Sequence, residues 1–450
     1  MIGARMHLVF SQGLPMSTSL PEASGAALAL SLNRDCHCIS LNRQKLHQRL
    51  AADLQEKGLP DALLDQASHL FAQYPVFLWD GHIQQMQALI AAVERVVSLP
   101  AYRQLILNRQ PWLSDSDDGA AGVFYGYDFH LGQEGPQLIE INTNAGGVLL
   151  NHYLAEAQQA CCQEIEDIMP DNHPYHPTEA QLVDMFREEF AASHPQATLT
   201  CIAIVDEQPD SQFLYPEFLL FQSLFARHGI KALIASPADF RQQDGNLMLG
   251  AEKVDLVYNR LTDFYLAEPG NRVLRQAYLE KRAVITPSPL HYALYADKRN
   301  LVLLSDPDQL EALAIDHPTR HTLLTTIPRT IAAGPDLWTD RKQYFFKPIQ
   351  GYGSKGSYRG AKMTRKVFDA ITAGDAANDY VAQHLVPPSE RQLMIEDEPL
   401  SLKMDFRCVT YRGVIQQVSS RLYQGQTTNM RTKGGGLATV FPSPDEEVLT

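Results

Sequence analysis

The stretch Gly126–Gly147, GYDFHLGQEGPQLIEINTNAGG, constrains the fold more than any other part of this chain. Apolar residues alternate through Val123, Tyr125, Tyr127 and Phe129, a Gly-Gln-Glu-Gly-Pro run follows, and Leu138–Ile141 resumes the apolar pattern. Such a pattern predicts two strands joined by a short turn. Side chains on a strand repeat with period two, so Asp128 lies on the face opposite Tyr127 and Phe129, and Glu140 shares a face with Asn142. A turn centred near Glu134 sets Asp128 across from Glu140. Facing carboxylates repel unless something positive separates them. With the Asn142 amide oxygen they make a hard-oxygen cluster of the kind that holds Mg²⁺ carrying a nucleotide's phosphates. The exit, Asn142-Thr143-Asn144-Ala145-Gly146-Gly147, is small enough to let a ligand approach the backbone. A solvated hairpin with surface acids is the plainer alternative.

Composition bounds the rest. At 450 residues the chain has room for two to four cores. With 38 basic against 52 acidic residues, the net charge of −14 argues against nucleic acid or an anionic membrane as the main partner. No run approaches the roughly 18 apolar residues of a spanning helix, and the N-terminal apolar pieces, broken by Gln12, Gly13 and Pro15, do not read as a signal peptide. Six cysteines in so long a chain do not make a disulfide framework, and a reducing, cytoplasmic setting is expected. Cys36-His37-Cys38 lacks a second ligand pair at zinc-like spacing, and Cys161-Cys162 reads as helical core filler.

Along the chain, residues 1–40 read as a loose tail or pairing arm. Residues 41–108 read as helical, through Leu46, Leu50 and Leu54, then Met86, Ile90, Val93 and Val97. A helix from about His152 to Ile168 and a Pro/His-rich linker follow the hairpin. The runs Leu199–Val205, Lys231–Ala235 and Val254–Tyr258, with a crossover helix over Phe213–Arg227, predict an open parallel α/β unit. Ligands of such units sit at the carboxyl ends of the strands, where Arg260 is a candidate fork for a carboxylate or phosphate, or else a surface salt bridge. Gly351, Gly353 and Gly356 spell G-x-G-x-x-G, but no helix follows directly, so the loop, Ser354 included, reads as a flap covering phosphates with Lys347 pairing their charge. An ordinary hairpin loop is the alternative. Asp405 and Arg407 share a strand face and read as an in-plane ion pair. Arg421, Asn429, Arg431, Lys433 and Gly434–Gly436 concentrate the donors of an oxyanion or phosphate clamp, although a disordered tail would look similar.

These motifs together resemble the ATP-grasp superfamily of carboxylate–amine ligases, but in rotated order. The hairpin is similar to the family's metal-binding end, which normally closes the chain. Asp297-Lys298 resembles its first ATP lysine, Ile327–Thr330 its I-P-x-T strand, Lys347-Pro348 with the flap its second lysine and phosphate loop, and Gln383 its adenine hinge. Asp405-Phe406-Arg407 resembles the D-x-R strand, and Arg421 with Asn429 and Gly434–Gly436 the substrate-side R…N…GG segment. The order implies a circular permutation, an arrangement also seen in eukaryotic glutathione synthetases. Two departures stand out: some relatives carry an arginine where this chain has Gly126, and residues 1–110 match nothing in the family.

The resemblance implies an α+β ATP-grasp fold whose two subdomains close on ATP. Its expected parts are an N-terminal tail and helical region (1–110), a metal-binding piece of the core (111–170), a preceding α/β domain (196–290), a lid with the flap (291–390) and the first part of the core (391–450). It implies ATP and Mg²⁺ as cofactors, with small-molecule carboxylate and amine substrates and a possible homodimer. Asp128, Glu140 and Asn142 would hold metal. Lys298, Lys347, Gly351, Gly353, Ser354, Gly356, Gln383 and Asn429 would hold nucleotide, and Lys347 and Arg421 would act catalytically. Asn144, Gly146, Arg260, Arg407, Arg431 and Gly435 are the substrate-side candidates. Competing functions are a nucleotide binder without turnover, a kinase on the same fold, and an NAD(P)-dependent oxidoreductase using the glycine motif.

Overall fold

The computed structural model describes residues 23–54, 70–113, 117–160, 175–353, 355–373, 379–395, 398–426, 428 and 430–443. Three sheets matter for function, and the chain visits the first of them twice. Strands β1 (Val76–Trp79), β2 (Tyr125–Gly132) and β3 (Gly135–Asn142) come first. A parallel unit follows: β4 (Cys201–Val205), β5 (Lys231–Ala235), β6 (Leu256–Asn259) and β7 (Val284–Thr286), in the order β7-β6-β4-β5. Next is an antiparallel sheet of β8 (Thr330–Ala332), β9 (Tyr344–Pro348), β10 (Tyr358–Arg359) and β11 (Tyr380–His384), in the order β8-β11-β9-β10. The chain then returns to the first sheet with β12 (Ser389–Ile395), β13 (Glu398–Tyr411), β14 (Val414–Tyr423) and β15 (Gly436–Ser443). That sheet runs β1-β15-β14-β13-β2-β3, with β12 pairing β13.

The first sheet buries one face through Tyr127, Phe129, Ile141, Phe406 and Cys408, against a helix at Asp80–Val97 whose Ile83, Met86, Ile90 and Val93 recur at helical spacing. Period-two alternation therefore turns Asp128, Glu140, Asp405 and Arg407 to the other face. The parallel unit is apolar on both faces: β4 is buried throughout, as a strand covered by helices on both sides must be. No helix among the described residues is long and apolar enough to cross a membrane.

Several expectations fail on detail. Residues 23–35, read as part of a loose tail or pairing arm, form a helix. Asn33 donates to and accepts from the Phe77 backbone, and the wholly buried Arg391 binds the carbonyls of Leu32, Asn33 and Cys36, so long-range contacts fix what periodicity does not mark. Val76–Trp79 lies inside the stretch read as helical, yet it is an edge strand parallel to β15. The helix expected from His152 to Ile168 spans Val148–Glu156 and gives way to a short strand, Gln158–Ala160, paired with Ile39–Leu41; Cys161 and Cys162 lie outside the described residues. The C-terminal clamp segment ends in β15, because Gly436 at φ 130° packs its Cα against the backbone of Leu70–Ala72 where no side chain fits.

Candidate active site

Strand pairing assembles the charged face. Asp128 is in register with Glu140 on one side and Arg407 on the other, and Arg421 is in register with Asp405. The Arg407 guanidinium donates to both oxygens of Asp128, Nε to Oδ1 at 2.6 Å and Nη2 to Oδ2 at 2.7 Å. Arg421 joins two carboxylates, Nη2 donating to Asp128 Oδ2 at 2.9 Å and Nε to Asp405 Oδ1 at 2.7 Å. Thr428 donates to the other Asp405 oxygen. Burial opposes the charge on Asp128, but Arg407 and Arg421 outweigh it and hold the carboxyl at about 2. Burial likewise opposes the charge on Arg421, and Asp128 and Asp405 overcome it, raising its pKa above the usual arginine value.

The in-plane Asp405–Arg407 pair therefore does not form, because each partner reaches a neighbouring strand at better geometry. Asp128 is saturated by guanidinium groups and serves as their counter-ion. Gly126 shows how Arg407 reaches it: a Cβ at that position would stand 3.1 Å from Arg407 Nε. Arg407 thus fills the space beside Gly126.

The third sheet brings up the lysines. Lys347 on β9 is buried, donating to the Ile139 carbonyl at 2.7 Å and to Gln383 Oε1 at 2.8 Å. Burial lowers its pKa to about 8, Lys298 adding to the effect and Glu140 opposing it. Lys298 donates to the Gly351 carbonyl at 2.9 Å and stands 3.7 Å from Glu140 Oε2. Burial works against the charged form of Glu140, yet Lys298 and Lys347 outweigh it and hold its pKa below the ordinary value. These groups line an open cleft that Gln383, His384, Leu385 and Val386 also line. His130, two residues beyond Asp128 on the same strand, also lines it and contacts the Val386 carbonyl. The period-two rule could have found it.

No three acidic, histidine or cysteine side chains group as a metal cage among the described residues. Asn142 donates its side-chain amide N–H to Glu140 Oε1 and to Asp128 Oδ2, each at 3.3 Å, which leaves Glu140 as the hard-oxygen donor facing the cleft. Mg²⁺ usually takes only one or two carboxylates and leaves other positions to phosphates and water. Glu140 as the single carboxylate fits an ion that arrives with a nucleotide.

Other candidates lie elsewhere. Arg260 is buried, and its Nη1 donates to the carbonyls of Asn144 and Ala145 at 2.7 and 3.1 Å, so it clamps the hairpin exit and does not face an open cleft. Asn144 donates to the Leu261 carbonyl, and a Cβ on Gly146 would meet Leu214 at 2.4 Å and Arg260 at 2.7 Å. The small residues of the exit thus make room for protein packing and not for a ligand. Gly435 packs against the Leu422 carbonyl, and Arg431 lies over the Phe213 ring. Ser354 and Asn429 lie outside the described residues. The loop of Gly351, Gly353 and Gly356 joins the antiparallel strands β9 and β10. A dinucleotide fingerprint would run from a strand into a helix at that point, so the oxidoreductase reading loses its motif.

This is a mixed α+β chain with a glutathione synthetase-like fold. A glutathione synthetase-like effector from Globodera pallida, solved in its apo form, superposes with a TM-score of 0.57 at 12% identity, over 85% of this chain and 98% of that one. At that identity the likeness shows the fold alone. A putative gamma-glutamylcysteine synthetase from Methylobacillus flagellatus reaches a TM-score of 0.42 at 11% identity, over 78% and 87% of the two chains. No family model and no curated protein matches the sequence.

Proposed function

We propose that this chain is a circularly permuted ATP-grasp ligase that joins a carboxylate to an amine using ATP and Mg²⁺. One observation carries the reading: two buried lysines from the middle of the chain meet Glu140 of the early hairpin in a single cleft. The substrate carboxylate attacks the γ-phosphorus and ADP leaves, giving an acyl phosphate. The amine then attacks that carbonyl, phosphate leaves, and the nitrogen loses its proton. Such transfers need alignment and charge neutralisation more than covalent help. Lys298 and Lys347 would hold phosphate oxygens, and Arg421, fixed by Asp128 and Asp405, would steady developing charge. Backbone groups at His384–Val386 would read the base. Glu140 would hold Mg²⁺, which when bound neutralises phosphate charge.

The expected result is that Glu140→Ala abolishes ADP release, screened against amino acids, small peptides and polyamines, while circular dichroism and melting stay as in the parent. Normal ADP production by that variant would refute the metal assignment. One observation favours a binder without turnover: both oxygens of Asp128 are occupied by arginines. Such a protein would bind ATP-Mg yet release no ADP with any carboxylate and amine.

A further inference from the structure

A second cleft, with about 1830 Å³ of atom-free space, adjoins the first across the glycine flap. Pro348, Gly351 and Tyr352 line both. It lies at the carboxyl ends of β4, β5 and β6, where Glu207, Ser236 and the 262–271 loop emerge. That is where an open parallel sheet offers a ligand crevice. The two clefts differ in sign. The first sets five cations, Lys298, Lys347, Arg359, Lys403 and Arg421, against four carboxylates, Asp128, Glu140, Glu390 and Asp405, whereas the second sets Glu207, Asp263 and Glu268 against Lys355. Neither Glu207 nor Glu268 has an ion-pair partner among the described residues, and both are exposed to the cleft. Aromatic faces complete the wall. Phe264 stacks on Tyr292 at 4.2 Å and meets Tyr352 edge-on at 6.3 Å. An ammonium already uses this chemistry: Lys355 Nζ lies 4.5 Å from the Tyr352 ring centroid and 2.9 Å from its hydroxyl. Carboxylates beside aromatic faces favour cations and disfavour anions.

We infer that this second cleft takes the amine substrate, and that the amine carries a further positive charge, as a di- or polyamine or a basic amino acid does. The flap wall shared by both clefts would bring that amine to the acyl phosphate formed in the first. The reacting role rests on the ligase reading; the binding does not.

The test is calorimetry of spermidine, lysine and glycine on the full chain loaded with a non-hydrolysable ATP analogue and Mg²⁺, run beside ADP release with the same acceptors. Saturable spermidine binding is expected, weakened about tenfold in the double variant Glu207→Gln/Glu268→Gln and weakened further by salt, with analogue affinity unchanged. Both acids are exposed, so the variant should fold as the parent does. Absence of spermidine binding, or equal binding by the double variant, would overturn the proposal. So would ADP release driven by glycine as strongly as by spermidine, and that result would leave the ligase reading standing. Acid-dependent spermidine binding with no ADP release from any acceptor would uphold the cation site and overturn the ligase reading.

Discussion

Arginines and lysines meet in the same cleft, yet they are satisfied in opposite ways. On the sheet side, Arg407 and Arg421 are matched by Asp128 and Asp405 through short, directed bonds. Across the cleft, Lys347 and Lys298 bond neutral oxygens: the Ile139 carbonyl, the Gln383 amide and the Gly351 carbonyl. Glu140, 3.7 Å from Lys298, is the nearest counter-charge. Arginine's planar fork suits paired carboxylates, whereas a lysine is a compact charge that exchanges partners readily. The difference teaches which cations build the site and which are available to an incoming anion. The arginines hold the face together, and the lysines are the cations that an incoming anion would meet.

Breaking the arginine side should cost most. Asp128→Asn leaves Arg407 without its carboxylate and Arg421 with Asp405 alone, and removing one partner of a buried pair costs about 3–5 kcal/mol. The expectation is a large drop in the urea midpoint with an unchanged slope. A variant as stable as the parent would show that Arg407 and Arg421 find other partners, and the division between building and binding cations would fail. Breaking the lysine side should cost less stability and more function. Lys347→Met keeps the stem and removes a buried ammonium, so melting should hold or rise slightly. Affinity for the ATP analogue should fall by roughly 10–100-fold, the worth of one charge-assisted contact. Equal affinity would remove Lys347 from the nucleotide site.

The same contrast explains what could be read from sequence. Period two and a turn near Glu134 place Asp128 across from Glu140, and the structure pairs those residues, but the turn closes at Gly132–Gly135 and a bulge between Asp128 and Phe129 supplies the last step of register. The parallel unit was legible because buried strands read as unbroken apolar runs. What failed was long-range. Arg260 stands at a strand end, as a ligand-binding residue would, but a neighbouring loop supplies the carbonyls it binds. Asp405 and Arg407 share a face, but pairing was decided by which strands flank them. Gly146 looked like an opening for a ligand because a missing side chain does not reveal what fills the space. Val76–Trp79 is too short for its period to show, and only its partner strand defines it.

The smallest expected effect tests the lysine side most selectively, since arginines stay charged at any workable pH. Lys347 titrates near 8 in the folded chain, surrounded by Lys298, Glu140 and Asp128, against about 10.4 when unfolded. Between those values the unfolded chain binds the proton and the native chain does not, so this group makes stability rise with pH across that window. Nucleotide binding should run the other way. Phosphate beside the ammonium favours its charged form, so binding takes up a proton and analogue affinity falls as pH climbs through 8, by roughly tenfold per unit at most. Calorimetry at pH 7.5 and 9, in buffers of different ionisation heat, reads both the affinity and the proton. The opposite slopes should vanish together in Lys347→Met. If affinity is flat with pH, or the variant keeps the slope, the titrating group is not Lys347 and the lysines are as firmly paired as the arginines.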